Sequence, residues 1–176
     1  MTRIILIYGA IAGTFVITSM LIGFALSDGE GFGSSQLIGY LFMLVALSLI
    51  FVGVKRYRDR ELGGVIKFGA AALMGLGIGA VAGVMYVAIW EVNLAVTNYA
   101  FIDNYTTGII EAKKAKGLAG VELEALVTKM EKMKEQYGNP LFRLPMTFME
   151  IFPVAAIVSL ISAFLLRNEK FMPTRA

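Results

Sequence analysis

An all-α membrane protein is the fold class that this sequence predicts: a polytopic chain of four transmembrane helices, with an amphipathic extramembrane helix between helices 3 and 4. Three observations predict it. Four apolar runs have about the 20 residues that a helix needs to cross a ~30 Å hydrocarbon core. Charged residues make up only 16% of the 176 and hydrophobic ones 57%, against roughly 25% charge in soluble domains. Lipid offers no partner to backbone N–H and C=O groups, so a spanning segment satisfies its own, as a helix does. The chain reads as a single membrane domain over residues 1–176.

The first span covers residues 4–26, 23 residues without a charge. Residues 25–27 resemble a cleavage site, but the apolar run exceeds the roughly 7–15 residues of a signal h-region. It is therefore expected to stay as an anchor. The second span, 37–54, has little length to spare. The third covers 68–90, with helical character continuing toward residue 101. The fourth, 144–166, is interrupted by Glu150.

The segment 102–142 between the last two spans holds six Lys and six acids. Within it, over residues 121–137, Leu123, Val127, Met130, Met133 and Tyr137 recur at spacings of three and four. That pattern is an amphipathic helix with a charged opposite face, closed by Gly138. It lies on the outer leaflet or caps the bundle, and its mixed charge favours the cap. Asn139-Pro140 marks either a turn or a helix start, with Asn139 as N-cap and Pro140 in the first turn.

Orientation follows from the basic residues of short loops. Lys55, Arg56, Arg58, Arg60 and Lys67 lie between spans two and three; Arg3 precedes span one, and Arg167, Lys170 and Arg175 follow span four. The first outer loop has Asp28 and Glu30 and no base. Both termini are expected in the cytoplasm. The basic loop reads as a topology signal, with anionic headgroup contact as a by-product.

The chain has no Cys and no His. Disulfides, thiol catalysis, Ser-His-Asp triads and imidazole metal sites are thereby excluded. No metal and no cofactor is expected, and a net charge of +3 is too small and too scattered for nucleic-acid binding.

Glu150 stands out. It lies seven residues beyond Arg143, about 10 Å along a helix, and nearly two turns put both on one face. A carboxylate facing lipid costs several kcal/mol, so that face is expected to point into the bundle. Glu150 then either works, as a cation, proton or polar-ligand site, or anchors, hydrogen-bonded to a neighbouring helix and neutralised in part by Arg143 or outer water. Pro153 removes the hydrogen bond to the carbonyl of Met149 beside it and is expected to kink the helix. Glu91 follows Trp90 at the expected outer boundary. Glu91, Arg143 and Glu150 form the one candidate polar cluster.

Ala71, Gly75, Gly79 and Gly83 recur every four residues in span three. Such a stripe lets a second helix approach closely. Packing within the chain is the simpler reading, and dimerisation the other.

Three segments carry a family resemblance: FVGVKRYRDRELGGVIKFGAAALMGLGIG, WEVN and FRLPMTFMEIFPV. They resemble the bacterial family called domain of unknown function 4199, over nearly the whole chain. The resemblance implies a small four-span protein of the bacterial inner membrane and brings no activity, substrate or catalytic residue. Ala70 departs from the family pattern, which places a lysine there.

Four spans, a glycine stripe and a capping helix suffice for a non-enzymatic structural, assembly or partner-binding component of the membrane. Its partners are the bilayer and either a second copy or another membrane protein. The alternative is a small ion- or solute-coupled transporter or channel with Glu150 as its membrane acid.

Overall fold

In the computed structural model the described residues are 1–26 and 36–173. Asp28 and Glu30, Ser27 of the cleavage-like stretch and Arg175 lie outside them. Helices fill the chain in the order α1 (Thr2–Leu26), α2 (Gln36–Glu61), α3 (Phe68–Val96), α4 (Ala100–Ala115), α5 (Gly120–Gly138) and α6 (Pro140–Leu166). No strand occurs among the described residues. Four helices, α1, α2, α3 and α6, are long and apolar enough to cross a membrane.

The helix ends differ from the sequence expectation for identifiable reasons. Past residue 54, α2 continues to Glu61. Lys55 and Asp59 pair at i,i+4, and basic side chains in its last turn suit the negative end of the helix dipole. Instead of running on toward residue 101, α3 stops at Val96. Asn98 and Tyr99 turn left-handed, at φ 51° and 58°, and α4 starts a new helix there. The fourth span begins earlier, at Pro140: Asn139 Oδ1 accepts the Leu141 N–H at 3.0 Å, an N-cap with proline in the first turn. That helix runs on through Pro145 and Pro153.

Contacts divide the chain into two compact units, Met1–Ile89 with Phe148–Ala176, and Trp90–Thr147. The first holds α1, α2 and most of α3 and α6. In lipid, helices gain little from burying apolar surface and associate by close packing. Here the packing runs through glycine. A Cβ on Gly75 would lie 2.9 Å from Ser159 Cβ, one on Gly79 2.7 Å from Ala155 Cβ, and one on Gly83 2.5 Å from the Phe148 ring. The stripe of α3, with Ala71 fully buried at its start, thus lies against α6 of the same chain. On α1, a Cβ at Gly9 would meet Val81, and one at Gly13 the carbonyl of Ala82. Ser159 and Ser162 return their hydroxyls to their own helix, at 2.7 Å to Ala155 O and Val158 O.

One end of this unit gathers three chain segments. The Met1 amino group lies 3.3 Å from Glu61. Arg58 reaches the backbone carbonyls of Phe171 at 3.0 Å and Met172 at 2.6 Å. The N-terminus, the end of α2 and the segment after α6 are therefore neighbours.

The second unit is built on α4 and α5, with the end of α3 and the start of α6. The apolar stripe of α5 is turned inward: Met130 and Tyr137 are buried, and Leu123, Val127 and Met133 partly so. It packs on α4. Phe101 of α4 meets Trp90 edge-on at 4.9 Å and lies 6.1 Å from Tyr137.

Candidate functional site

The second unit holds the most developed polar site. Trp90 and Glu91 end the apolar stretch of α3, and Arg143 stands in the first turn of α6. Arg143 is buried, at 3% exposure. Its Nε donates to Glu91 Oε1 and its Nη2 to Oε2, both at 2.7 Å. This is the two-pronged match of a planar guanidinium to a carboxylate. Nη1 donates to the carbonyl of Tyr137 at 2.9 Å, the end of α5. The rings of Tyr99 and Tyr137 lie 5.2 and 5.7 Å from the guanidinium carbon, within cation–π range. Trp90 Nε1 donates to the Tyr137 hydroxyl at 2.9 Å. One arginine thereby ties together the end of α3, the left-handed turn at Tyr99, the end of α5 and the start of α6.

Beside it is a cavity of about 230 Å³, lined by Tyr99, Ile102, Tyr137, Gly138, Pro140 and Arg143. The left-handed Tyr99 serves this arrangement. A tyrosine in that region costs about 1 kcal/mol or more, and the turn brings its ring to the guanidinium.

Of the three residues expected to cluster, Glu91 and Arg143 pair, and Glu150 has another partner. Glu150 Oε2 accepts from the Tyr86 hydroxyl at 3.0 Å, inside the first unit. Tyr86 is buried on α3, and its hydroxyl also lies 3.1 Å from Met20 Sδ of α1. Sequence reasoning set Arg143 or outer water against the Glu150 charge; the Arg143 guanidinium pairs with both oxygens of Glu91. Through its bond to Tyr86 the Glu150 carboxylate turns toward α3, as the helical face predicts. The residue keeps part of its surface exposed, at the margin of the outward stripe of α6 that runs through Met149, Pro153, Ile157, Leu160 and Phe164. Seven residues do place Arg143 and Glu150 on one side of α6, but helical spacing does not say what stands opposite.

The basic loop also divides. Arg56, Arg60 and Lys67 are exposed. Lys55 is tied to Asp59. Arg58, expected with them at headgroups or as a topology signal, is fully buried. Its Nε donates to Asp59 at 2.7 Å and its Nη atoms hold the carbonyls after α6. It is a clamp on the C-terminal segment. Sequence reasoning missed that role, and it missed Tyr86, Tyr99 and Tyr137 as polar partners. Only Tyr137 had a signal, its place in the α5 stripe.

Among the described residues no group of three or more Asp and Glu is placed to hold a metal ion. The architecture defines a helical protein with four membrane-crossing candidates and a smaller aromatic unit closed by the partly buried Glu91–Arg143 pair. A family model described as "Protein of unknown function (DUF4199)" matches residues 7–168. The chain belongs to that family. Neither a curated protein nor a solved structure matches it.

Proposed function

We propose that the protein is a non-enzymatic component of the bacterial inner membrane that holds a partner membrane protein. Both termini are read as cytoplasmic and the unit of α4 and α5 as outward-facing. The observation that carries this reading is the Glu91–Arg143 pair. Its charges are spent on each other and on the Tyr137 carbonyl, so it braces a surface rather than offering a general base or nucleophile. The exposed face of α5, with Glu124, Lys132 and Glu135, is the surface so braced. The test is mild extraction from native membranes with the full chain tagged. A defined membrane protein should co-purify, and should be lost when exposed α5 residues are exchanged for opposite charge. A clean monomer from the wild type would count against the reading.

Glu150 favours a second reading, a small transporter. A carboxylate on a membrane-crossing helix, here held by the Tyr86 hydroxyl, is costly and is a functional hypothesis by default. Proteoliposomes carrying Glu150→Gln should then lose ion- or proton-driven flux while the fold survives. Equal flux in wild type and variant would remove this reading.

A further inference from the structure

The cavity at Arg143 has donors to spare. A guanidinium carries five N–H groups, and Arg143 uses three: Nε and one on Nη2 toward Glu91, and one on Nη1 toward the Tyr137 carbonyl. One N–H on each Nη has no partner among the described residues. Arg143 is buried and lines the cavity, together with the Tyr99 and Tyr137 rings and Ile102. Each Nη atom has one partner and a second N–H to offer, with the Tyr99 and Tyr137 rings beside it. Among the described residues the wall is otherwise apolar or aromatic, and no other charged residue lines the space. About 230 Å³ is below the roughly 300–1,000 Å³ of sites for drug-sized molecules, so the fitting ligand is compact.

Charge decides which acceptor it takes. The guanidinium is already neutralised by a two-pronged carboxylate. An incoming phosphate or carboxylate would meet the Glu91 charge across the same guanidinium and gain little from the pair. A neutral carbonyl oxygen has two lone pairs and no such penalty.

The geometry points to a binding site in which Arg143, walled by Tyr99 and Tyr137, donates to the carbonyl oxygen of a compact neutral amide or ester. Two sources share that chemistry: the ester of a glycerolipid and a small soluble carbonyl compound. The inference goes beyond the partner-holding reading and does not rest on it. A partner lost on changing α5 and an unresponsive cavity are separate results.

The experiment observes the Arg143 side-chain ¹⁵N resonances of the full chain in nanodiscs of diether phospholipid, which lacks ester carbonyls. N-methylacetamide is the neutral probe; acetate and inorganic phosphate are the anionic ones. The amide should shift the Nη resonances saturably and independently of salt. The Ile102→Phe variant, which fills the cavity, should lose that shift while the Trp90 indole resonance, a reporter of its bond to Tyr137, stays in place. If that variant misfolds, saturation in the wild type and the contrast between amide and anions carry the test. With the amide response established, repeating the spectra in diester discs names the source. Nη resonances already at the shifted position without probe assign the acceptor to lipid, and unshifted ones assign it to a soluble compound. A saturable, salt-sensitive shift with phosphate or acetate would overturn the neutral assignment. No saturable shift with any probe in either disc would leave the cavity to water and overturn the site.

Discussion

Removing the guanidinium of Arg143 would leave Glu91 partly buried without its counter-charge. Breaking a buried ion pair from one side costs about 3–5 kcal/mol. Glu91 is a quarter exposed, which screens part of this, so Arg143→Ala is expected to cost about 2–4 kcal/mol. Glu91→Gln keeps one acceptor for Nε or Nη2 and should cost less, about 1–2 kcal/mol. Trp90 is the one tryptophan of the chain and lies in the same unit, so its emission during denaturant titration reads both variants. Equal effects of the two would mean that packing, not the ion pair, holds the unit. At this scale the sequence was partly legible. Glu91, Arg143 and Glu150 stood out because charges in apolar runs are rare. Their pairing was not legible, since register between two helices is a property of packing. Arg58 was hidden for the opposite reason, as one base in a run of similar bases.

Among the elements, α3 depends on its glycines. A side chain at Gly79 would drive into Ala155 and one at Gly83 into the Phe148 ring. Overpacking costs about 1–3 kcal/mol, so Gly79→Val should lower the unfolding midpoint in detergent, while Ala70→Val, at an exposed position, should leave it unchanged. The segment after α6 depends on Arg58. In Arg58→Met the carbonyls of Phe171 and Met172 lose their donor, and cleavage after Lys170 by trypsin should accelerate. Arg58→Lys should rescue it only in part, because an ammonium cannot reproduce the guanidinium's spread of donors. A cleavage rate equal to wild type in Arg58→Met would show that the clamp is dispensable. Spans were legible here because apolar length alone marks them. The break between α3 and α4 was not, because Thr97, Asn98 and Tyr99 include no glycine or proline to announce a left-handed turn. The mixed composition of α4 likewise hid a helix whose aromatic face is defined only by Trp90 and Tyr137.

For the whole molecule, the absence of cysteine from the sequence makes single-cysteine labelling clean. Cysteines placed at Thr2, Gly63 and Lys170 should react with an impermeant maleimide from one side of the membrane, and one at Lys132 from the other. Labelling of Lys132 from the same side as Gly63 would overturn the orientation read from the basic loop. The partner-holding account makes a sharper demand on the native membrane. The most direct measurement is site-specific photo-crosslinking there, with the reactive side chain at Lys132 on α5 and, for comparison, at Ile11 on the outward side of α1. The account predicts one discrete protein adduct from Lys132, lost in Arg143→Ala, and lipid adducts from Ile11. Lipid alone at both positions, together with flux in proteoliposomes that depends on Glu150, would contradict it.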